Sequence, residues 1–212
     1  MITVHGVPLS PFVRKVLMTL DYKGIEYTSN PIFPGSDDAD FRKISPLGKV
    51  PVLEHDGFTT PDSSIILRYL DQQFPDKPVY PEDSKQQAMA CWLEEFGDSK
   101  LIDGCATIFR ERLLNPKMFD TPCNEEAVQE AINVTLPPLL SYLESVTPES
   151  GYLVGDHLSV ADIGIVTCFM QASYGEYRVD ADTYPKLRGY IDRAFANELV
   201  INRFEIEKQI LA

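Results

Sequence analysis

A short proline-rich segment divides this chain into two parts with different patterns. Three prolines occur in the eight residues FPDKPVYP at positions 74–81. Proline lacks a backbone N–H and fixes its own φ angle, so a helix cannot continue through this segment and an extended linker is favoured. The 212 residues are therefore predicted to form two domains, residues 1–80 and residues 81–212.

The first part alternates between strand and helix patterns. A β-branched run predicts a strand at Ile2–Val7, and apolar residues at helical spacing then predict a helix that ends near Gly24. A second strand is predicted at Ile25–Ile32, followed by a polar loop at Gly35–Asp40 and an irregular stretch. The first half of this domain thus reads as β-α-β.

A hairpin and a helix complete the first part. Strands are predicted at Val50–His55 and Phe58–Thr60, joined by an Asp56-Gly57 turn of the type that favours tight hairpins. An apolar helical stripe follows Asp62-Ser63. The order β-α-β, then β-β-α, indicates an α/β domain.

The second part has only helical patterns. Helical segments are predicted at residues 82–114, 125–146, 160–174, 184–196 and 198–211. Pro137-Pro138 is expected to kink or split the second of these, and Ser159 with Asp162 resembles a capping box at the start of the third. This part is predicted to be all-α.

The charge balance excludes some classes of partner. The chain has 19 Lys and Arg against 32 Asp and Glu, a net charge of −13. Such acidity disfavours binding to nucleic acid or to an anionic membrane surface. The excess falls in residues 81–212, which have 11 basic and 22 acidic side chains, whereas residues 1–80 have 8 and 10. No apolar run is long enough for a transmembrane helix, and MITVHGVPLS does not resemble a secretory signal.

Four widely spaced cysteines argue against a disulfide framework and against a zinc site. Cys91, Cys105, Cys123 and Cys168 form no CxxC pair and no cluster with histidine. They are predicted to be buried or idle thiols in a reducing compartment, and no metal site is expected.

Three junctions between elements could carry chemistry. Ser10 lies between a strand and a helix, where its hydroxyl either points at a bound anion or acts only as an N-cap. Val50-Pro51 precedes a strand; a cis bond would leave the Val50 backbone available to an extended peptide, and a trans proline at a strand start is the alternative. Asp62-Ser63 could hold the ammonium and carboxylate of an amino acid, or could be an ordinary cap pair.

Together these features resemble the cytosolic glutathione transferase family over essentially the whole chain. The resemblance is carried by SPFVRKV, FRKISPLGKVPVL, PDSSIILRYL and LVGDHLSVAD, together with the proline-rich linker. It implies a thioredoxin-like α/β N-terminal domain that binds glutathione, followed by an all-α C-terminal domain.

The resemblance also implies roles for individual residues. Ser10 would be the catalytic residue, donating a hydrogen bond to the glutathione sulfur. Val50, before a cis Pro51, would pair its backbone with the cysteinyl part of glutathione, and Lys49 would approach the glycyl carboxylate. Asp62 and Ser63 would hold the γ-glutamyl head, although the family most often has Glu where this chain has Asp62.

The activating residue separates branches of the family. Position 10 is Ser, and the first eighty residues contain no cysteine. The resemblance is therefore to the serine type, and disfavours the cysteine-type branches that catalyse thiol-disulfide exchange.

A small electrophile is the second substrate that the resemblance implies. Its candidate contacts are Leu9, Phe33, Cys105 and Phe109, for which a place in the hydrophobic core is the alternative. A homodimer is also implied, with Ser64, Arg68 and the helix near Trp92–Asp98 at the interface. The acidic residues of that helix could instead form a solvated face.

The implied activity is cytoplasmic detoxification by conjugation, with glutathione as co-substrate and no permanently bound cofactor. Glutathione-dependent peroxide reduction or dehalogenation is an alternative at the same site. Isomerisation is disfavoured because Leu-Ser-Pro stands where that branch usually has Ser-Ser-Cys. A non-catalytic interaction module of the same fold is the alternative from a different class.

Overall fold

A computed structural model describes residues 1–211 of the chain, which form two compact units. The first unit contains Met1–Tyr80 together with the segment that begins at Asn197, and the second is Pro81–Ala196. The division along the chain therefore falls within the proline-rich segment. The sequence prediction assigned the segment from Asn197 onward to the helical domain, but this segment belongs to the first unit.

A four-stranded sheet forms the centre of the first unit. Its strands are β1 (Ile2–His5), β2 (Tyr27–Asn30), β3 (Val52–His55) and β4 (Phe58–Pro61). They lie in the order β2-β1-β3-β4, with β1 and β2 parallel and the other two pairs antiparallel. All four predicted strands are confirmed, and the arrangement is a thioredoxin-like α/β fold.

Four helices belong to the first unit. They are α1 (Pro11–Lys23), α2 (Ala39–Ile44), α3 (Ser63–Gln73) and, after the second unit, α11 (Glu198–Leu211). Gly24 ends α1 in the left-handed conformation, as predicted, with φ of 71°. The short helix α2 was not predicted: Asp38 caps it by accepting from the Phe41 N–H at 2.7 Å, and Phe41 is buried.

Buried charged groups explain why α11 packs in the first unit. Glu207 forms a fully buried ion pair with Arg14 of α1. One turn earlier, Arg203 bonds to Asp21 of α1 and to the Tyr27 hydroxyl of β2. Arg14, Glu207 and Arg203 are buried, and a charge removed from water needs a partner, so the pairs fix α11 against α1.

Hydrogen bonds to Lys23 and Asp71 hold the proline-rich segment in place. The Lys23 ammonium donates to the Asp71 carboxylate at 2.8 Å and to the carbonyls of Phe74 and Lys77 at 2.9 and 3.0 Å. The Asp71 carboxylate also accepts from the Val79 N–H at 2.8 Å. The segment is non-helical, as predicted, and follows a defined path.

All the regular elements of the second unit are helices. Its α-helices are α4 (Ser84–Phe96), α5 (Ile102–Phe109), α6 (Asn115–Met118), α7 (Glu125–Glu130), α8 (Leu136–Val146), α9 (Val160–Ser173) and α10 (Pro185–Phe195). Three π-helical turns, at Gly97–Leu101, Arg110–Leu114 and Ala131–Thr135, interrupt the longer predicted segments. The third of these precedes α8, whose first turn contains the proline pair that was predicted to kink or split the segment.

Helix α9 forms the centre of this unit, since every residue from Val160 to Ala172 is buried. It approaches α4 closely, because a Cβ atom on Gly164 would lie only 3.3 Å from the Glu94 Cα. Within residues 1–211, no helix is long and apolar enough to cross a membrane.

The carboxylate of Asp162, in the first turn of α9, joins three segments of the second unit. It accepts hydrogen bonds from the Leu153 N–H at 2.9 Å, from the Ser159 N–H and hydroxyl at 2.9 Å each, and from the Tyr190 hydroxyl at 2.8 Å. Burial raises the pKa of the Asp162 carboxyl, against the opposing effect of these donors. The predicted pairing of Ser159 with Asp162 is confirmed.

The Asp162→Asn variant is expected to lower the free energy of unfolding by about 1–3 kcal/mol. The carboxylate accepts hydrogen bonds through both of its oxygens, and the amide would replace one of these acceptors with an NH2 group, which is itself a donor. Chemical denaturation measures this loss of stability. Asp156→Asn, at a side chain that is 99% exposed, is the control and should change stability by no more than about 0.5 kcal/mol. Equal effects of the two variants would contradict the assigned role of Asp162.

Candidate functional site

The register of the sheet brings the three predicted junctions to one end of the first unit. His5, at the end of β1, pairs with Val52 at the start of β3, and Val52 pairs with Pro61 at the end of β4. The chain leaves β1 and β4, and enters β3, at this same row. Because all three junctions begin within a few residues of the row, their polar groups share one end of the sheet.

Ser10 occupies the N-cap position of α1, but its hydroxyl does not cap the helix. The Ser10 N–H donates to the Val7 carbonyl at 3.0 Å, and the Ser10 carbonyl accepts from the Arg14 N–H at 2.9 Å. No hydrogen bond joins its hydroxyl to any residue from 1 to 211. The capping interpretation therefore does not account for this side chain, and the hydroxyl remains available at a helix N-terminus.

The peptide bond between Val50 and Pro51 is cis. The Val50 backbone makes no hydrogen bond within the described part of the chain, as expected for a backbone that is open to an extended ligand. The preceding Lys49 is exposed, and its carbonyl accepts from the Ser45 hydroxyl at 2.7 Å. That bond restrains the backbone of Lys49 and does not involve its ammonium group.

Asp62 combines a structural role with an available oxygen. Its Oδ1 caps α3 by accepting from the N–H groups of Ser64 and Ile65 at 3.0 and 3.3 Å, so the capping interpretation is confirmed. Its Oδ2 has no hydrogen-bond partner among residues 1–211, and the residue is exposed with φ of 76°. A non-glycine residue held at positive φ is uncommon and often marks a functional position.

Ser63 follows at the first position of α3. The residue is 4% exposed, and neither its hydroxyl nor its N–H has a hydrogen-bond partner in the described range. An N–H in the first turn of a helix has no acceptor within the helix, and is suited to bind an anionic group. The Asp62 Oδ2 is thus an available acceptor, and the neighbouring Ser63 hydroxyl and N–H are two available donors.

Gly6 allows the chain near the Ser10 junction to approach the Val50-Pro51 junction closely. It adopts φ of 144°, and a Cβ atom there would lie 2.5 Å from the Val13 Cγ2 and 2.9 Å from the Val50 Cβ. Only a residue without a side chain fits between α1 and the segment before β3. The sequence prediction did not identify this glycine, since a glycine after a strand usually marks no more than a turn.

The four candidate electrophile contacts differ in environment. Leu9 is buried in the first unit, and Phe33 is 59% exposed. Cys105 and Phe109 are buried, and the Phe109 ring contacts the Tyr174 ring edge-on at 5.9 Å between centroids. Burial raises the pKa of the Cys105 thiol, which disfavours its thiolate form. The role of these residues stays a prediction.

The candidate interface residues make contacts within their own unit. The Ser64 hydroxyl accepts from the Lys15 ammonium at 3.3 Å, and its carbonyl accepts from the Tyr80 hydroxyl at 3.3 Å. Arg68 is exposed, with its guanidinium 4.6 Å from the centre of the Tyr80 ring. Their role in a dimer also stays a prediction.

The acidic residues near Trp92 do not form a uniformly solvated face. Glu94 is buried, whereas Glu95 is exposed. Trp92 is 48% exposed and donates to the Tyr142 hydroxyl at 2.6 Å. The surface of this helix therefore presents an aromatic side chain as well as acidic ones.

The described residues contain neither a disulfide bond nor a cluster of three or more metal-binding side chains. None of the four cysteines forms a disulfide bond. Within residues 1–211, no group of three or more His, Cys, Asp or Glu side chains is placed to hold a metal ion.

The Gly6→Ala variant tests the close approach in this site. Gly57→Ala is the control, because Gly57 also has positive φ, at 85°, but a Cβ atom there would meet nothing within 4 Å. Gly6→Ala is expected to lower the free energy of unfolding by about 1–3 kcal/mol more than Gly57→Ala does. Denaturant titration measures the difference, and equal losses would show that the packing at Gly6 is not tight.

Both parts of the chain are similar to known proteins. The family model "Glutathione S-transferase, N-terminal domain" matches residues 4–78, and "Glutathione S-transferase, C-terminal domain" matches residues 110–202. A glutathione S-transferase of Triticum aestivum is 26% identical over 187 residues, covering 87% of this chain and 84% of the relative. The chloroplastic glutathione S-transferase DHAR3 of Arabidopsis thaliana is 25% identical over 205 residues, covering 94% and 71%.

Solved structures have the same fold. Human glutathione S-transferase T1-1 in its apo form superposes with a TM-score of 0.84 at 22% identity, over 100% of this chain and 89% of that one. A glutathione S-transferase from Rhodospirillum rubrum F11 gives a TM-score of 0.80 at 23% identity, over 94% and 90%. Two models of one family together match most of the sequence, and the fold agrees with both, so the chain belongs to the glutathione S-transferase family.

Proposed function

We propose that this protein is a glutathione transferase in which Ser10 activates the glutathione thiol for attack on small electrophiles. The observation that carries this proposal is the Ser10 hydroxyl, which lies at the N-terminus of α1 and has no hydrogen-bond partner within residues 1–211. A helix N-terminus favours a negative charge, and a hydroxyl placed there can donate to a thiolate.

The remaining groups at the same end of the sheet match the other parts of glutathione. The Val50 backbone would pair with the cysteinyl residue, and this would place the sulfur near Ser10. The Asp62 Oδ2 would accept from the γ-glutamyl ammonium, while the Ser63 hydroxyl and N–H would donate to its α-carboxylate. Lys49 would approach the glycyl carboxylate. Each of these pairings sets a donor opposite an acceptor, or a charge opposite its counter-charge.

The energies involved are large enough to ionise the thiol. A free thiol has a pKa of about 8.5, so only a few per cent is thiolate at neutral pH. A hydrogen bond to a charged group contributes about 1.5–3 kcal/mol, and a helix N-terminus adds about 0.3–1 kcal/mol. At about 1.36 kcal/mol per pKa unit, these effects lower the thiol pKa to about 5.5–7.

The thiol releases its proton to solvent, and the resulting thiolate needs no further acid or base for a simple substitution. Its sulfur lone pair forms the S–C bond while the leaving group departs from the electrophilic carbon with its electron pair. The contacts proposed for the electrophile are Leu9, Phe33, Cys105 and Phe109. In this proposal the protein acts in the cytoplasm in detoxification, as a homodimer with Ser64 and Arg68 at the interface.

The Ser10→Ala variant is expected to reduce kcat/KM for conjugation of an activated aryl halide about 10- to 100-fold at neutral pH, because the lost hydrogen bond raises the thiol pKa. Steady-state kinetics measure this. The control is Ser29→Ala, at an exposed serine of β2, which should match the wild type. Unchanged turnover in Ser10→Ala would show that Ser10 is not the activating residue.

The Asp62→Asn variant is expected to raise the KM for glutathione at least tenfold, because the amide keeps the helix cap but removes the charge that faces the ammonium group. Its control is Asp83→Asn, since Asp83 caps α4 in the same way, through the N–H groups of Lys85 and Gln86. A KM equal to that of the wild type would contradict the assignment of the γ-glutamyl head to Asp62.

Binding separates an enzyme from an interaction module of the same fold. Glutathione at 100 times its Kd is expected to stabilise the folded protein by about 2.7 kcal/mol, measured as a concentration-dependent rise in Tm. No rise at millimolar glutathione would contradict the proposed function and favour a non-catalytic role.

A further inference from the structure

A buried ion pair connects the last helix of the chain to the first turn of α1. The Arg14 Nε donates to the Glu207 Oε1 at 2.7 Å, and its Nη2 donates to the Oε2 at 2.7 Å. Both side chains are 0% exposed, although the residues lie 193 positions apart. A bidentate pair of this kind fixes the guanidinium in orientation as well as in position.

Arg14 is also bonded to the two residues that define the Ser10 junction. Its Nη2 donates to the Leu9 carbonyl at 3.5 Å, a long bond, and its N–H donates to the Ser10 carbonyl at 2.9 Å. The side chain of Arg14 therefore contacts the backbone just before Ser10, while its main chain holds the first turn after it. Through this one residue, Glu207 is linked to the loop that presents the Ser10 hydroxyl.

A second ion pair joins the same two helices at a different place. Arg203 of α11 bonds to Asp21, in the last turn of α1, three turns away from Ser10. This pair thus already fixes α11 against the C-terminal end of α1. The Arg14–Glu207 pair has the additional property that it touches the Ser10 junction.

From these contacts we propose that Glu207 and Arg14 are positioning residues for Ser10, holding its hydroxyl where it meets the glutathione thiol. This inference rests on the proposed function of Ser10. Glu207 orients the Arg14 guanidinium, the guanidinium restrains the Leu9 carbonyl, and that restraint limits the motion of the Ser10 hydroxyl. The position of the Ser10 hydroxyl then depends on α11, the helix that contains Glu207.

A double variant and a matched control separate this role from a general effect on stability. Glu207→Gln keeps the shape of the side chain but leaves the buried Arg14 charge without its counter-charge, and it could fail to fold for that reason. The double variant Arg14→Met with Glu207→Leu removes both charges, and apolar replacement of a buried pair is often tolerated. Asp21→Asn, which breaks the other pair between the same helices, is the matched control.

In the folded double variant, kcat for conjugation is expected to fall at least tenfold while the KM for glutathione changes less than threefold, since the Val50 and Asp62 contacts remain. Hydrogen exchange at the Ser10 and Arg14 amides is expected to quicken at least tenfold. Asp21→Asn should leave kcat within twofold of the wild type and leave exchange at these two amides unchanged. All measurements are made well below the Tm of each variant.

The failures of the two proposals are distinguishable. A wild-type protein whose turnover does not depend on Ser10 contradicts the proposed function, and with it the positioning role. Ser10-dependent turnover in the wild type, together with an unchanged kcat in the double variant, contradicts only the positioning role. Unchanged amide exchange in the double variant also overturns it, and so does an equal loss of kcat in Asp21→Asn.

Discussion

The pairing of β3 with both of its neighbours is the constraint on which the candidate site depends. Because Val52 lies opposite His5 on one side and Pro61 on the other, three junctions distant in sequence begin at one row of the sheet. A slip of one residue in either pairing would turn every side chain of the slipped strand to the opposite face and move the junctions out of their common row. The register is fixed in part by the hairpin, where Asp56 and Gly57 both adopt positive φ, as a tight turn between these strands requires.

Local signals in the sequence predicted most of this architecture. The glycine after α1, the Asp-Gly turn and the proline pair in the first turn of α8 each act through backbone geometry, which a single residue can determine. Helix α2 was missed because its six residues follow a polar loop and carry only one buried apolar side chain, Phe41. Such a short helix depends on its Asp38 cap and on burial more than on a periodic pattern.

Other features depend on contacts between distant segments. Arg14 and Glu207 read in the sequence as ordinary charged residues of two helices, and only the folded chain shows that they neutralise each other without access to water. The assignment of α11 to the first unit has the same origin. The state of the Ser10 hydroxyl is also a tertiary property, since the sequence fits a capping serine equally well. Residue type alone does not distinguish a buried charged side chain from an exposed one, or a capping serine from one whose hydroxyl is available.

The proposed function requires that Ser10 and the N-terminus of α1 ionise the thiol of bound glutathione. The most direct measurement is the ultraviolet absorbance of the thiolate in the protein–glutathione complex, titrated against pH. A thiol pKa of about 5.5–7 is expected in the wild-type complex, against about 8.5 for a free thiol. A bound thiol that titrates near about 8.5 would contradict the claim, because the environment of Ser10 would then contribute nothing to its ionisation.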